Sequence, residues 1–170
     1  MTTKIIVLRG NIASGKSTVA KNLRSKLGVE NALIVSQDIL SREILPYKDG
    51  EISVPYMKVI IEEIIKSANE INYPYLILEG IWLKRRYGDF FEELVKKYKD
   101  NNFFFYYFDI SLDETLNRDT TRAGYMSKEK IKSSYTPKDF LENIKEEIID
   151  SKRSCEEITQ RIIKEMGKND

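Results

Sequence analysis

Gly10-Asn11-Ile12-Ala13-Ser14-Gly15-Lys16-Ser17 is the stretch of this sequence best equipped for chemistry. It fits the spacing G-x-x-x-x-G-K-[ST] at every position. Glycines let a backbone curl so that several amide N–H groups point inward, which suits phosphate oxygens. A helix beginning at the end of the motif adds unpaired amide donors and the positive end of its dipole. In such a loop the lysine, Lys16, reaches the outer phosphates, and the Ser17 hydroxyl is a magnesium ligand. The expectation is a site for ATP and Mg2+, with Gly10, Asn11, Ala13, Ser14, Gly15, Lys16, Ser17 and Thr18 around the nucleotide. The competing reading is an ordinary strand–turn–helix that uses glycine for turn geometry. Average residue usage would produce the string in about one chain in a hundred of this length.

Five further positions have side chains suited to transferring a phosphate. Asp38 follows a short apolar run, where a carboxylate can orient an acceptor hydroxyl and take its proton; a helix N-cap is the alternative use. Arg42 lies four residues on, on the same helical face, and suits an anionic or hydroxyl-rich acceptor as well as it suits solvent. Glu79 ends another apolar run, placed to bind the acceptor, to hold a magnesium-bound water or to cap the following turn. Arg118 and Arg122 are also four apart, and guanidinium groups stabilise charge on a transferring phosphoryl group. Their plainer use is a solvated face paired with Asp119 or Glu114. Asp109 ends a run too, but Ser111 explains the polarity there, so a structural role is expected.

The elements that must position these residues are written in the pattern of apolar residues. Ile5–Leu8 is apolar at every position, as in a parallel strand covered on both faces. A helix follows from about Ser17, with Val19, Ala20, Leu23 and Leu27 at helical spacing and Gly28 as its stop. Strands are expected at 32–35, 75–78, 103–108 and 147–150. The 103–108 run, Phe-Phe-Phe-Tyr-Tyr-Phe, reads as a central strand rather than a base-stacking platform. Pro55 opens a helix with Met57, Ile60, Ile61, Ile64, Ile65 and Ala68 along one stripe. Asp89 is a candidate cap for the next helix, Ser111 with Glu114 for another, Thr136-Pro137 for a further piece, and Ser154 with Glu157 for the last. Alternating strands and helices give an α/β domain with a parallel sheet.

Composition narrows the chemistry. The 170 residues suit one domain spanning 1–170, and 41% hydrophobic content is enough for a core at that size. Basic and acidic residues number 28 and 27, so no general field draws nucleic acid or an acidic membrane. No apolar run approaches the roughly 20 residues that span a bilayer, and the N-terminus lacks a signal-peptide layout. Cys155 is the single cysteine, which rules out an internal disulfide and fits a cytoplasmic location. With no histidine, every mechanism that needs a histidine base or ligand is excluded, and acid–base work falls to carboxylates, lysine or tyrosine. A GTPase would need Asn-Lys-x-Asp, which is absent, and an Asp-x-x-Gly switch where Leu78-Glu79-Gly80 stands.

Over nearly its whole length the sequence resembles the small P-loop kinases related to gluconate and shikimate kinase, polynucleotide kinase, chloramphenicol phosphotransferase and the zeta toxins. The matching pieces, in order, are LRGNIASGKST, VSQD with Arg42 just after, LILEG, FDISLDETLNRDTTR and EEIIDSKRSCEEI. The resemblance implies a three-layer P-loop sandwich: a five-stranded parallel sheet, helices on both faces and a helical lid over roughly 118–136, hinged near Gly124. It implies that Asp38 acts as base, that Arg118 and Arg122 close over the phosphates, and that residues 150–153 lie beside adenine. Relatives often place the arginine three residues after the aspartate, not four. The implied activity is transfer of the γ-phosphate of ATP to a hydroxyl of a small molecule, with residues 39–54 and 125–136 shaping the acceptor pocket. Two rivals stand beside it. A polynucleotide 5′-hydroxyl kinase needs a basic groove, for which Lys84-Arg85-Arg86 is the only compact run. A regulatory protein that binds nucleotide without turnover is the other.

Overall fold

A computed structural model describes residues 2–45, 54–99, 102–120, 127–150 and 152–167, with the side chains of residues 119 and 120 left out. Strand β1 (Lys4–Gly10) leads through the glycine-bearing turn into α1 (Lys16–Leu27). Then follow β2 (Ala32–Ser36), the short α2 (Gln37–Ile39) running on into a wide turn over Leu40–Ile44, and α3 (Val54–Glu70). The chain continues through β3 (Tyr75–Gly80), α4 (Lys84–Lys97), β4 (Asn102–Asp109) and α5 (Leu112–Thr120). It closes with α6 (Lys128–Ser134), β5 (Glu146–Asp150) and α7 (Cys155–Met166).

The strands form one sheet in the order β2-β3-β1-β4-β5, and every pairing is parallel. β1 lies at the centre, which explains its unbroken apolar run. Successive side chains point to opposite faces of a sheet, and both faces are covered. Ile5 and Val7 join Met57, Ile61, Ile65, Tyr87 and Phe91 under α3 and α4. Ile6 and Leu8 join Val19, Leu23, Ile158 and Ile162 under α1 and α7. The aromatic run is an interior strand between β1 and β5, with Phe105, Tyr106, Tyr107 and Phe108 buried. This is the expected α/β three-layer architecture.

From β1 the chain winds to one side, towards β2 and β3, and later to the other, towards β4 and β5. Ligands of open α/β sheets bind at the strand ends where this reversal opens a crevice, and the glycine-bearing turn sits there. Gly10 is required by contact as well as by conformation. Its φ is +139°, and a Cβ there would come within 2.6 Å of the Phe108 carbonyl oxygen.

Two helix starts differ from expectation. Asp89 is an exposed residue inside α4, not its cap, because α4 begins at Lys84. The first amide of α4, Lys84 N–H, donates to Asp139 Oδ2 at 2.8 Å, so this helix is capped from across the fold. Thr136-Pro137 does not open a helix. α6 ends at Ser134, and the Thr136 backbone is gripped on both sides by the Asn11 amide. The two local caps are present: Glu114 N–H donates to Ser111 Oγ, and Ser154 and Glu157 form a reciprocal capping box.

Candidate active site

The turn between β1 and α1 has the backbone that its sequence requires. Ala13 and Gly15 adopt left-handed φ angles of +56° and +95°. No side chain caps the start of α1, so its first amides keep their donors for a ligand. Lys16 is buried, with Nζ donating to the Asn11 carbonyl oxygen at 2.7 Å and to Ser14 Oγ at 2.9 Å. A curled backbone, an uncapped helix start and a buried ammonium fit the phosphate tail of a nucleotide. The start of α7 closes in from the side: a Cβ on Gly15 would lie 3.3 Å from Cys155 Sγ.

Glu79 connects this loop to the neighbouring strand. It is buried at the end of β3, opposite Ser36 of β2 in the parallel register. Ser17 Oγ donates to Glu79 Oε2 at 3.0 Å, and Ser36 Oγ donates to Glu79 Oε1 at 2.6 Å. A hydroxyl and a carboxylate are hard oxygen donors of the kind magnesium takes alongside phosphate and water. Among the described residues no cluster of three or more Asp, Glu, His or Cys forms a protein-built metal cage. The Ser17 hydroxyl and the Glu79 carboxylate are a donor pair that would suit magnesium.

Ser17, Lys21, Ser36, Asp38, Ile39 and Glu79 line one cleft of about 240 Å³. Asp38 does not cap α2. Ser36 is the residue before that helix, and its hydroxyl is engaged by Glu79 instead. The Asp38 carboxylate is exposed and pairs with Arg42 at 3.7 Å, so the i,i+4 relation seen in the sequence is a contact. Thr18 is exposed on the first turn of α1. Arg118 Nε is 2.6 Å from Glu114 Oε1, the local pairing weighed against a phosphate role. Arg122 and Gly124 lie outside the described residues. A larger cavity, about 460 Å³, lies between α3 and β2 and is lined by Leu33, Val59, Ile64, Ile71 and Tyr73. It is apolar and far from the loop, with no cation to meet a phosphate, so chemistry favours the smaller cleft.

Beneath the loop lies a polar cluster that the sequence did not announce. Arg9 is fully buried one residue before Gly10. Its Nη1 meets both oxygens of Glu146 at 3.1 and 3.0 Å, and its Nη2 meets Asp139 Oδ2 at 2.9 Å. Nη2 also donates to the carbonyl oxygens of Asp139, at 2.7 Å, and Trp82, at 3.0 Å. The guanidinium lies 5.2 Å from the centre of the Tyr107 ring. Burial raises the Glu146 carboxyl above its usual value, while Arg9 pulls it back down. Burial likewise pushes the Tyr107 hydroxyl up to about 12. Asn11, expected at the nucleotide, spends its side chain on this cluster's other leg: Nδ2 donates to the Thr136 oxygen at 2.7 Å, and Oδ1 accepts from Thr136 N–H at 3.0 Å. A charged residue directly after the apolar run Ile5–Leu8, Arg9, was the available signal; its partners, 130 and 137 residues away, gave none.

The sheet order, the loop at its crevice and the helices on both faces define the fold of the small P-loop kinases. No family model and no curated protein matches the sequence, but solved structures do match the fold. A gluconokinase from Sinorhizobium meliloti 1021 superposes with a TM-score of 0.66 at 18% identity, covering 92% of this chain and 87% of that one. The Mycobacterium tuberculosis APS kinase CysC, solved with AMPPNP and APS, gives 0.68 at 18% identity, covering 96% of each chain. A sugar kinase from Janibacter sp. HTCC2649 gives 0.66 at 19% identity, covering 95% of this chain and 93% of that one.

Proposed function

We propose that this protein, as one domain over 1–170, is an ATP-dependent phosphotransferase that moves the γ-phosphate to a hydroxyl of a small molecule. The observation that carries this is the chain of contacts Ser17–Glu79–Ser36, which joins the phosphate loop to the strand end where Asp38 lines the same cleft. The gluconokinase, the APS kinase and the sugar kinase of like fold support the reading.

Magnesium, when bound with ATP, draws negative charge from the transferring group. The loop amides and Lys16 hold the phosphates, and Ser17 supplies a ligand for the metal, with Glu79 orienting it or a metal-bound water. Asp38 orients the acceptor hydroxyl and receives its proton. Arg42 binds the far end of the acceptor once the acceptor competes for it with Asp38. Arg118 and Arg122, at the start of a lid over 118–136, approach the phosphates, for which Arg118 exchanges Glu114 for a phosphate oxygen. The polynucleotide reading loses ground, since Lys84 of its basic run is paired with Glu142 at 2.7 Å.

The test is a panel of acceptors, gluconate, hexoses, adenosine 5′-phosphosulfate and a 5′-hydroxyl oligonucleotide, with γ-labelled ATP. Label is expected on a small molecule, and Asp38→Asn is expected to lower that turnover by about 100-fold or more. Transfer only to the oligonucleotide would replace the small-molecule reading. Nucleotide binding with no turnover on any acceptor, and indifference to Asp38→Asn, would favour a regulatory protein.

A further inference from the structure

β2 is one of the two edge strands of the sheet, and its pairing with β3 ends where Ser36 faces Glu79. Asp38 comes two residues later, in a helix of three residues, beyond the reach of that ladder. The side chain of Gln37 continues the attachment where the backbone stops. Gln37 is buried, and its Oε1 accepts from Ile81 N–H at 2.9 Å and from Trp82 N–H at 3.1 Å. Its Nε2 donates to the Tyr87 hydroxyl at 3.4 Å. Gly80 leaves it the room: a Cβ there would fall 2.5 Å from Gln37 Oε1 and 2.6 Å from Gln37 Cβ.

The turn that Gln37 grips is held from its other side as well. Trp82 has a φ of +45°, the left-handed region that costs a bulky residue strain. Its N–H is on Gln37, and its carbonyl oxygen accepts from Arg9 Nη2 at 3.0 Å. Arg9 is in turn fixed by Asp139 and Glu146. Gln37 is thus attached to a turn that is itself immobilised at both ends. Its two chain neighbours face the cleft, Ser36 on Glu79 and Asp38 lining the wall.

We infer that Gln37 is a positioning residue: its carboxamide extends the β2–β3 attachment past the strand ends and so sets Asp38 against Glu79 and Ser17. The inference rests on the reading of Asp38 given above. Displacing a reacting group by about 1 Å can cost on the order of 100-fold in rate, so this one amide has leverage over turnover without touching nucleotide. Trp82 is the only tryptophan in the sequence. Its indole Nε1 is buried and unpartnered, and its Cε2 lies 2.9 Å from where a Gly80 Cβ would be, so its fluorescence reports on the clamp.

The test compares Gln37→Met, which keeps volume but loses the amide, with Gln37→Glu, which keeps acceptor oxygens. The reaction followed is MgATP turnover with water as the acceptor. Gln37→Met is expected to lower kcat by about tenfold or more, with KM for ATP within about twofold of the parent. The Ile81 and Trp82 amides are expected to exchange faster and the Trp82 emission to shift, and Gln37→Glu is expected to restore most of both. In an Asp38→Asn background, Gln37→Met should cost nothing further, since its effect runs through Asp38. Equal losses in both backgrounds, a loss carried by KM for ATP, or unchanged exchange at Ile81 and Trp82 would overturn the inference. Full turnover in Asp38→Asn alone would overturn the reading of Asp38 instead, and amide exchange would then decide whether the clamp exists.

Discussion

The Ser17 hydroxyl donates to Glu79 Oε2 at 3.0 Å across 62 residues of sequence. The same carboxylate takes the Ser36 hydroxyl on its other oxygen. One buried side chain therefore ties the glycine-bearing loop, the end of β3 and the end of β2 together at the cleft that Asp38 lines.

Glu79→Gln keeps the shape of that junction and removes its charge. Outer partners of a metal site typically change affinity by about 10- to 100-fold when replaced. The magnesium concentration for half-maximal turnover should rise by about tenfold, while affinity for ATP measured in EDTA should stay near the parent value. Magnesium titrations of the two proteins check this, and an unchanged requirement would remove Glu79 from the metal's surroundings.

Arg9→Met leaves the Asp139 and Glu146 carboxylates with no cation, at sites where their side chains are 10% and 3% exposed. Breaking a buried pair from one side typically costs about 3–5 kcal/mol. Urea unfolding should show a loss of that size. Arg9→Lys should recover only part of it, because an ammonium cannot reproduce the forked contacts to two carboxylates and two carbonyl oxygens. A midpoint equal to the parent's in Arg9→Met would mean the cluster contributes no net stability.

Tyr107 supplies a pH dependence. Its hydroxyl is pushed up to about 12 by burial, whereas an exposed tyrosine titrates near 10. The folded state therefore holds this proton more tightly than the unfolded one. The associated stability is complete below about pH 10 and declines as pH rises towards about 12. Urea midpoints between pH 9 and 11.5 should fall less steeply in Tyr107→Phe than in the parent. Identical slopes would exclude a contribution from this group.

Local features were legible in the sequence because the residues that make them are neighbours. The phosphate loop, the strand before it and the helix after it lie within one continuous stretch. Asp38 and Arg42 sit four apart and pair, and the Ser154–Glu157 box closes over three residues. The site's supports were not legible because each is made by distant partners. Asp139 caps α4 from 55 residues away, so Asp89 offered a false local start. Thr136-Pro137 carries a helix-opening pattern, but Asn11, 125 residues earlier, holds that backbone in another conformation. Gln37 was readable as the end of a strand, whereas its partners at Ile81, Trp82 and Tyr87 required the fold.

The central claim is that the loop from Gly10 to Ser17 grips the phosphates of ATP through its amides and Lys16. Isothermal titration of MgATP into the parent and into Lys16→Ala tests it most directly. A charge-assisted contact to phosphate contributes about 2–3 kcal/mol, so the account predicts measurable binding by the parent and a loss of about 30-fold or more in the variant. Equal affinity in the two proteins, or no affinity of the parent for any Mg-nucleotide, would contradict it.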